Sequence, residues 1–308
     1  MDAIEVHELT KSYDGQTVVD HLSLRIRGGE VFALLGPNGA GKTTTVEILE
    51  GHRQPDAGTV SVLGHDPQRR ERALRERIGV VLQEAGFDEE FTVRELVRYF
   101  HALFARPLDV DGVLEEVGLS RKRSAKVRTL SGGQRRRLDL ALGLIGDPEV
   151  LFLDEPTVGF DPAARRQAWS LIERLKARGT TVLLTTHYLD EAERLADRVG
   201  VLVAGRLVAL GTPSELAAGR KGATVSFRLP PGKVVDELPD LGAELFADGA
   251  GWRLATKHPS TIAHELTGWA IASGFELPAL EVRRPTLEDA YLALVGERPE
   301  MAAAGAAS

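Results

Sequence analysis

Short apolar runs alternate with helical patterns along the first two thirds of the chain. The runs share strand length, apolar or β-branched content, and polar or turn residues at their ends: Ile4–Leu9, Val18–Ile26, Val31–Leu35, Ile78–Leu82, Val150–Leu153, Thr181–Thr185 and Val199–Val203. Val31–Leu35 is apolar throughout, as expected of a strand buried on both faces. Helical stretches between several of the runs, such as Thr44–Glu50, predict a mostly parallel α/β sheet.

A helical region interrupts this alternation between about residues 88 and 145. The periodicity there is that of helices, and one predicted helix has an apolar face of four residues: Leu96, Val97, Phe100 and Phe104. The pattern predicts a helical insert within the α/β body.

The chain changes character after the first 218 residues. Residues 219–296 have signals of their own and predict a small α+β domain. The predicted strands are Thr224–Leu229, Trp252–Ala255 and Leu280–Val282, and the predicted helices are Thr261–Ala272 and Leu287–Val295. Residues 297–308 are rich in alanine and glycine, which predicts a disordered tail. The predicted organisation is therefore an α/β domain over residues 1–218, a small second domain and a tail.

Composition and charge narrow the function classes. The formal net charge is −7, which argues against a general nucleic-acid binder and a polybasic membrane anchor, since both are basic. The absence of cysteine excludes disulfides and thiolate metal sites. No run approaches the roughly 18 apolar residues of a membrane span, and the first residues show no signal-peptide pattern. We therefore expect another chain to supply any membrane crossing.

A glycine-rich turn joins the apolar run Val31–Leu35 to the predicted helix Thr44–Glu50. Its residues fit the phosphate-loop pattern G-x-x-x-x-G-K-[ST]: Gly36, Pro37, Asn38, Gly39, Ala40, Gly41, Lys42 and Thr43. Glycines let the backbone point several N–H groups at a phosphate, and the helix that follows adds its positive end. We expect Lys42 to reach the β- and γ-phosphates of a nucleotide, Thr43 to bind Mg²⁺, and Thr44 to be a further nucleotide contact.

Two adjacent acids end the apolar run Val150–Leu153. Asp154 and Glu155 repel each other there unless a cation or a chemical task offsets the repulsion. We expect Asp154 to hold Mg²⁺, through water, and Glu155 to polarise an attacking water as general base. The alternative is that the two acids are simply solvated at the end of a strand. The presence of a phosphate loop in the same chain favours a role in nucleotide hydrolysis instead.

A serine- and glycine-rich segment comes about 20 residues before the acid pair. Leu130-Ser131-Gly132-Gly133-Gln134 resembles the LSGGQ signature of ATP-binding-cassette (ABC) ATPases, which other phosphate-loop ATPases lack. The resemblance covers roughly Ile4 to Leu216 and implies the fold of an ABC ATPase cassette. It also implies that the signature residues close over the γ-phosphate held by the opposite subunit of a dimer: Ser131, Gly132, Gly133 and Gln134.

Four further positions match the family in order. Tyr13 resembles the aromatic residue that stacks on adenine, and Gln83 the glutamine that contacts Mg²⁺ and senses the membrane partner. Asp161 resembles a loop residue that touches the opposite subunit, and here it follows Phe160, where leucine is commoner. His187 resembles the switch histidine bonded to the γ-phosphate. No catalytic position departs from the family pattern, so we expect an active ATPase.

The resemblance implies cofactors, partners and a location as well. The catalytic set that it implies is Lys42, Gln83, Glu155 and His187. The cofactors are ATP and Mg²⁺, with the metal held by Thr43, Gln83 and Asp154. The partners are a second, identical nucleotide-binding subunit and a separate permease, and not nucleic acid. The chain would then lie at the cytoplasmic face of the cell membrane, bound through the permease.

Several kinds of ABC protein remain compatible with the sequence. A repair or ribosome-associated ATPase is disfavoured because only about 90 residues separate Lys42 from Ser131 and because one cassette is present. An ATPase that assembles scaffolds without transport is disfavoured as well, because such proteins usually end soon after the cassette. The segment Arg284–Gly296 resembles the end of cassettes of the daunorubicin-resistance type, which export drugs, lipids or polysaccharides through a separate permease, and Arg135–Ala141 agrees with that branch. An importer with a regulatory C-terminal domain stays open as the alternative.

Overall fold

A computed structural model describes residues 1–81, 89–218, 222–249 and 251–296. The chain divides into two compact units, Met1–Pro213 and Ser214–Leu294. The border predicted after residue 218 differs from this division by one short helix and stays a prediction. The tail predicted at 297–308 lies outside the described residues. In the described ranges, no helix combines the length and the apolar character needed to cross a bilayer.

The first unit is built from strands and helices in alternation. Its described strands are β1 (Asp2–Tyr13), β2 (Gln16–Arg27), β3 (Val31–Leu35), β4 (Ala57–Val62), β5 (Ile78–Val81), β6 (Val150–Asp154), β7 (Thr181–Thr185), β8 (Arg198–Val203) and β9 (Arg206–Gly211). Its described helices are α1 (Lys42–Leu49), α2 (Arg72–Arg75), α3 (Val93–His101), α4 (Val110–Glu116), α5 (Gly132–Leu144), α6 (Pro162–Ala177) and α7 (Leu189–Leu195).

One six-stranded sheet dominates the described part of this unit. Its strand order is β5-β6-β7-β3-β8-β9, with parallel pairing from β5 to β8 and antiparallel pairing of β9. All five residues of β3 are buried, which is the pattern of a central parallel strand. The mostly parallel sheet predicted from the apolar runs is confirmed. Its order brings the carboxyl ends of β6, β7 and β3 side by side, where ligand sites of such sheets lie.

A second, antiparallel sheet shares its core with the first. The strand order is β2-β1-β4. Fully buried residues of β1 and β2 pack in one cluster with residues of the parallel sheet: Ile4, Leu9, Leu22, Ile26, Phe32, Leu34, Phe152 and Leu202. Burying each such side chain stabilises the fold by about 1.5–3 kcal/mol. This shared core holds the phosphate-loop strand β3 in a fixed place.

Helices α3, α4 and α5 occupy the predicted insert. Thr92 and Glu95 form a reciprocal capping box at the start of α3, which fixes where the helix begins. Leu96 and Val97 are buried on its inner face. The prediction that Phe104 continues this helical face is wrong, because α3 ends at His101. Pro107 follows shortly afterwards, and a helix does not continue readily into a proline.

The second unit is a small antiparallel sheet with helices. Its described elements are α8 (Pro213–Ala218), β10 (Ala223–Phe227), β11 (Leu245–Asp248), β12 (Gly251–Thr256), α9 (Pro259–Ala272), β13 (Glu281–Arg283) and α10 (Leu287–Gly296). The strand order is β11-β12-β10-β13. Inward residues of β10 and β12 pack with Ile262 and Leu266 of α9 to form a separate core. This α+β arrangement agrees with the predicted class of the domain.

Three strands have no counterpart among the predicted strands of the two domains. β4, β9 and β11 expose much of their surface, so their sequences lack a continuous apolar signal. β1 and β2 extend beyond the predicted runs because they pair with each other, and paired backbone tolerates polar side chains on an exposed face. α1 begins at Lys42, two residues before the predicted Thr44.

Candidate active site

The glycine-rich turn lies between the buried strand β3 and helix α1. Gly39 and Gly41 have φ angles of +78° and +97°, which glycine adopts without the strain that a Cβ causes. A Cβ on Gly36 would lie 2.3 Å from the carbonyl oxygen of Leu202 in β8, so the turn also needs a glycine for close packing. The predicted phosphate loop therefore stands at the carboxyl edge of the sheet, at the start of a helix.

Lys42 is the first residue of α1 and points back into the loop. Its Nζ donates hydrogen bonds to the carbonyl oxygens of Gly36, at 2.7 Å, and Pro37, at 3.1 Å. Burial lowers the pKa of the Lys42 ammonium group, while the carboxylates of Glu155 and Asp154 act in the opposite direction. The three side chains that the sequence predicts for phosphate and metal chemistry thus lie within electrostatic reach of one another.

The acid pair ends β6 and is fixed by the neighbouring strand β7. The Thr185 hydroxyl donates a hydrogen bond to Oδ1 of Asp154. The Glu155 backbone N–H donates to the Thr185 carbonyl at 3.1 Å and contacts the Thr185 hydroxyl at 3.2 Å. Glu155 has a φ of 47°, in the left-handed region that non-glycine residues seldom adopt. Thr185 therefore holds both acids at the edge of the sheet.

His187 lies beside Glu155, although 32 positions separate them in the chain. The Nδ1 atom of His187 is 3.1 Å from Oε1 of Glu155. The His187 side chain is 45% exposed and that of Glu155 only 16%, so the imidazole stands on the solvent side of the carboxylate. The ring also contacts Tyr188, with ring centroids 4.1 Å apart. This pair can hold a water or a phosphate oxygen in front of the acid.

The signature segment begins α5. Ser131 is the N-cap, and its hydroxyl and the Gln134 side chain form a reciprocal capping box. Gly133 lies next to Phe160, since a Cβ on this glycine would stand 3.9 Å from the phenyl ring. Phe160 is buried in a small cluster with residues of α6, so the phenylalanine at this position is packed within the chain.

Two further predicted site residues have contacts of their own, and a third cannot be placed. Tyr13 ends β1, where Lys11 and Arg53 lie 5.4 and 5.5 Å from the centre of its ring. Asp161 caps α6 by accepting hydrogen bonds from two backbone N–H groups, and these bonds lower the pKa of its carboxyl. Gln83 lies outside the described residues. The roles predicted for these residues, and for those of the cluster, stay predictions.

Two side chains at the site were not among the predicted functional residues. Thr185 belongs to a predicted strand and not to the predicted site. A threonine at the end of a buried run is nevertheless a polar residue that can indicate a site, and here it contacts the acid pair. Glu191 comes four residues after His187 and is fully buried, and its carboxyl group accepts a hydrogen bond from Trp169 Nε1 at 3.0 Å. Burial raises the pKa of Glu191.

The fold and site together define the class of the protein. A phosphate loop, an acid pair and a histidine converge at the carboxyl edge of one parallel sheet, and a glycine-rich helix start lies in the same unit. This is the arrangement of a P-loop ATPase cassette. The model of the family described as "ABC transporter" matches residues 19–158. The model "ABC transporter domain-containing protein-like, C-terminal domain" matches residues 223–286.

Relatives of known name cover nearly the whole chain. The daunorubicin resistance ATP-binding protein DrrA3 of Streptomyces coeruleorubidus is 43% identical over 307 residues, 96% of each chain. The Nod factor export ATP-binding protein I of Burkholderia pseudomallei is 43% identical over 303 residues, 95% of this chain and 97% of the relative. The structure of cbiO1 from Clostridium perfringens, part of the ABC transporter complex cbiONQ, matches with a TM-score of 0.64, 30% identity, and coverage of 70% of this chain and 91% of that one. The chain belongs to the ABC transporter family and is an ATPase.

Proposed function

We propose that the chain binds MgATP and hydrolyses it to power export through a separate membrane permease. The observation that carries the chemistry is the convergence of Lys42, Glu155 and His187 at one edge of the sheet. The observation that favours export is that relatives named for drug resistance and Nod factor export are similar over nearly the full chain, including the second unit. The permease and the location at the cytoplasmic face of the membrane follow from this proposal.

Each side chain of the cluster has a distinct part in hydrolysis. Lys42 exchanges its two loop carbonyls for β- and γ-phosphate oxygens, which are stronger acceptors for an ammonium group because they are charged. Glu155 accepts a proton from the water that attacks the γ-phosphate. His187, held at the solvent side of Glu155, contacts the γ-phosphate and confines that water.

The oxygen ligands available at the site fit Mg²⁺. Asp154 keeps one carboxylate oxygen beyond the one that Thr185 contacts, and Thr43 supplies an exposed hydroxyl group on the first turn of α1. Among the residues that the structure describes, no group of three or more His, Asp or Glu side chains is arranged to hold a metal ion by itself. Mg²⁺ at nucleotide sites takes few protein ligands, together with water and phosphate oxygens. Thr43, Asp154 and Gln83 would hold the ion, which when bound neutralises charge on the phosphates.

The active form in this proposal is a dimer of two identical chains. Ser131, Gly132, Gly133 and Gln134 start α5. In the dimer these residues close over the γ-phosphate bound to the partner chain, and Asp161 lies at the same interface. Tyr13 contacts adenine in the same chain that supplies Lys42. Closure moves the permease, and hydrolysis reopens the dimer.

Co-expression with a candidate permease in a drug-sensitive host tests this function. We expect ATP-dependent loss of daunorubicin or of a Nod factor from cells or inverted vesicles, and no loss with the Glu155→Gln chain. ATP-dependent uptake of a solute would favour the importer, and ATPase activity without any permease association would contradict a transport function.

A further inference from the structure

Arg136 is a buried cation that joins two parts of the site. It lies one turn into α5, and only 7% of its surface is exposed. Its Nη2 donates hydrogen bonds to the carbonyl oxygens of Asp154, at 2.5 Å, and Glu155, at 3.0 Å. Its Nε donates to the carbonyl oxygen of Pro156 at 3.3 Å. One guanidinium group thus binds three consecutive carbonyls at the end of β6.

Arg135, which directly precedes Arg136 in α5, is not buried in the same way. Arg135 pairs with Glu89 at 2.8 Å and keeps 43% of its side chain exposed. Arg136 instead has the Asp139 carboxylate 3.8 Å from its Nη1, and both side chains are largely buried. A buried guanidinium group is costly unless its N–H groups are satisfied, so these contacts hold its position firmly.

The backbone of Glu155 is consequently held from two sides. Thr185 of β7 accepts the hydrogen bond of its N–H group, and Arg136 of α5 donates to its carbonyl oxygen. The left-handed φ of Glu155 persists only where surrounding contacts determine it. The direction of the Glu155 side chain therefore depends on the position of α5.

We propose that Arg136 is a positioning residue that couples the signature end of α5 to the acid pair of the same chain. The proposal rests on the proposed dimer, in which Ser131 of one chain meets the nucleotide of the other. Nucleotide contact at Ser131 shifts the first turns of α5, and Arg136 transmits the shift to the carbonyls of Asp154, Glu155 and Pro156. One nucleotide site thereby sets the geometry of the general base in the other, which makes hydrolysis cooperative.

Substitutions of Arg136 test whether the coupling between the two nucleotide sites can be lost while ATP binding is kept. Arg136→Lys keeps the charge but cannot bind three carbonyls with one planar group, and Arg136→Met removes the donors. We expect kcat to fall by about 10- to 100-fold, because small displacements of a reacting group have effects of this size. We expect the KM for ATP to stay within about threefold and the Hill coefficient to fall from above 1 towards 1.

Arg174→Gln is the matched control. Arg174 also carries a guanidinium group on a helix, but it is exposed and contacts Glu116. This variant should keep the kcat and the Hill coefficient of the wild-type chain. Thermal unfolding with and without ATP shows whether each variant folds and binds nucleotide.

The outcomes distinguish the coupling from the dimer itself. A wild-type chain that hydrolyses ATP without cooperativity, and whose Glu155→Gln variant stays monomeric with ATP, would contradict the dimer. A cooperative wild-type chain whose Arg136 variants keep both kcat and the Hill coefficient would overturn the coupling. So would failure of even Arg136→Lys to fold, since Arg136 would then serve the stability of the core.

Discussion

The Lys42 ammonium group is almost buried in the phosphate loop, where two carbonyl oxygens and two nearby carboxylates offset part of the cost of its burial. Lys42→Ala removes the ammonium group that we expect to face the β- and γ-phosphates. We expect ATP affinity to fall by about 100-fold or more and turnover to be nearly abolished. Titration of a fluorescent ATP analogue and a phosphate-release assay measure the two effects.

The partly exposed Lys233, which pairs with Glu237 in the second unit, provides the control for this substitution. Lys233→Ala should bind and hydrolyse ATP as the wild-type chain does. Turnover of the Lys42→Ala chain close to the wild-type rate would show that the phosphate-loop assignment is wrong.

Glu155 is placed to act as a base, because its carboxylate lies beside His187 and is shielded from solvent more than the imidazole is. Glu155→Gln keeps the shape but cannot accept a proton, so we expect ATP binding to persist while hydrolysis falls by about 100-fold or more. The closed dimer should then accumulate, and size-exclusion chromatography with MgATP should detect it. Glu173→Gln, at an exposed glutamate paired with Arg194, is the control. A Glu155→Gln chain that hydrolyses ATP normally would remove Glu155 from the mechanism.

At the scale of elements, α5 and β5 approach each other through two glycines. A Cβ on Gly79 would lie 2.2 Å from the carbonyl oxygen of Gly143, and a Cβ on Gly143 would lie 2.6 Å from Val81. Gly79→Ala should therefore push α5 away from the sheet and destabilise the fold by about 1–3 kcal/mol, as overpacking does. Thermal unfolding measures the loss.

An alanine at an open helical glycine is the matched comparison. A Cβ on Gly268 in α9 has no atom within 4 Å, so Gly268→Ala should stabilise the chain slightly, since alanine is the better helix former. Equal stability of the Gly79→Ala chain and the wild-type chain would contradict the close approach of α5 to β5.

Glu50 directly follows the last residue of helix α1, and burial favours the protonated form of its carboxyl group. Burial, followed by the charges of Asp154 and Glu47, raises the pKa of Glu50 to about 8. Between about pH 4.5 and 8 the folded chain keeps a proton that the unfolded chain releases, so this group lowers the free energy of unfolding as pH rises through that range. The contribution of Glu50 to the free energy of unfolding is therefore most favourable at the low-pH end of this range.

Glu50→Gln removes this titration while keeping the shape of the side chain. We expect the variant to exceed the wild-type chain in stability at pH 8.5, by up to a few kcal/mol, and the difference to shrink towards pH 5. Urea unfolding at both pH values measures it. Parallel pH profiles for the two chains would show that Glu50 ionises normally in the folded state.

At the scale of the whole molecule, every residue assigned to nucleotide chemistry lies in the first unit, and the second unit has its own hydrophobic core. A chain that ends at Ala218 should therefore fold and keep its ATP affinity within about threefold of the full chain. It should co-purify less permease. Binding titrations and affinity co-purification compare the two chains, with circular dichroism to verify folding. A folded truncation that no longer binds ATP would assign part of the nucleotide site to the second unit.

Much of the cassette could be predicted from the sequence because its signals are local. β3 and β7 have the bounds of their apolar runs, since a strand buried on both faces leaves a continuous signal. The predicted phosphate loop is contiguous, and its glycines, lysine and threonine lie within one backbone turn. β4 and β9 lacked such a signal because they are partly exposed.

The sequence by itself determined the family, the mostly parallel sheet and the residue types of the site, because each depends on neighbours in the chain. Only the tertiary structure decided which of these residues meet. Glu155 and His187 touch because β6 and β7 are adjacent in the sheet. Arg136 reaches the carbonyls at the end of β6 because α5 packs beside that end of the sheet. Strand order and helix packing arise from long-range burial of apolar surface, which no local pattern specifies.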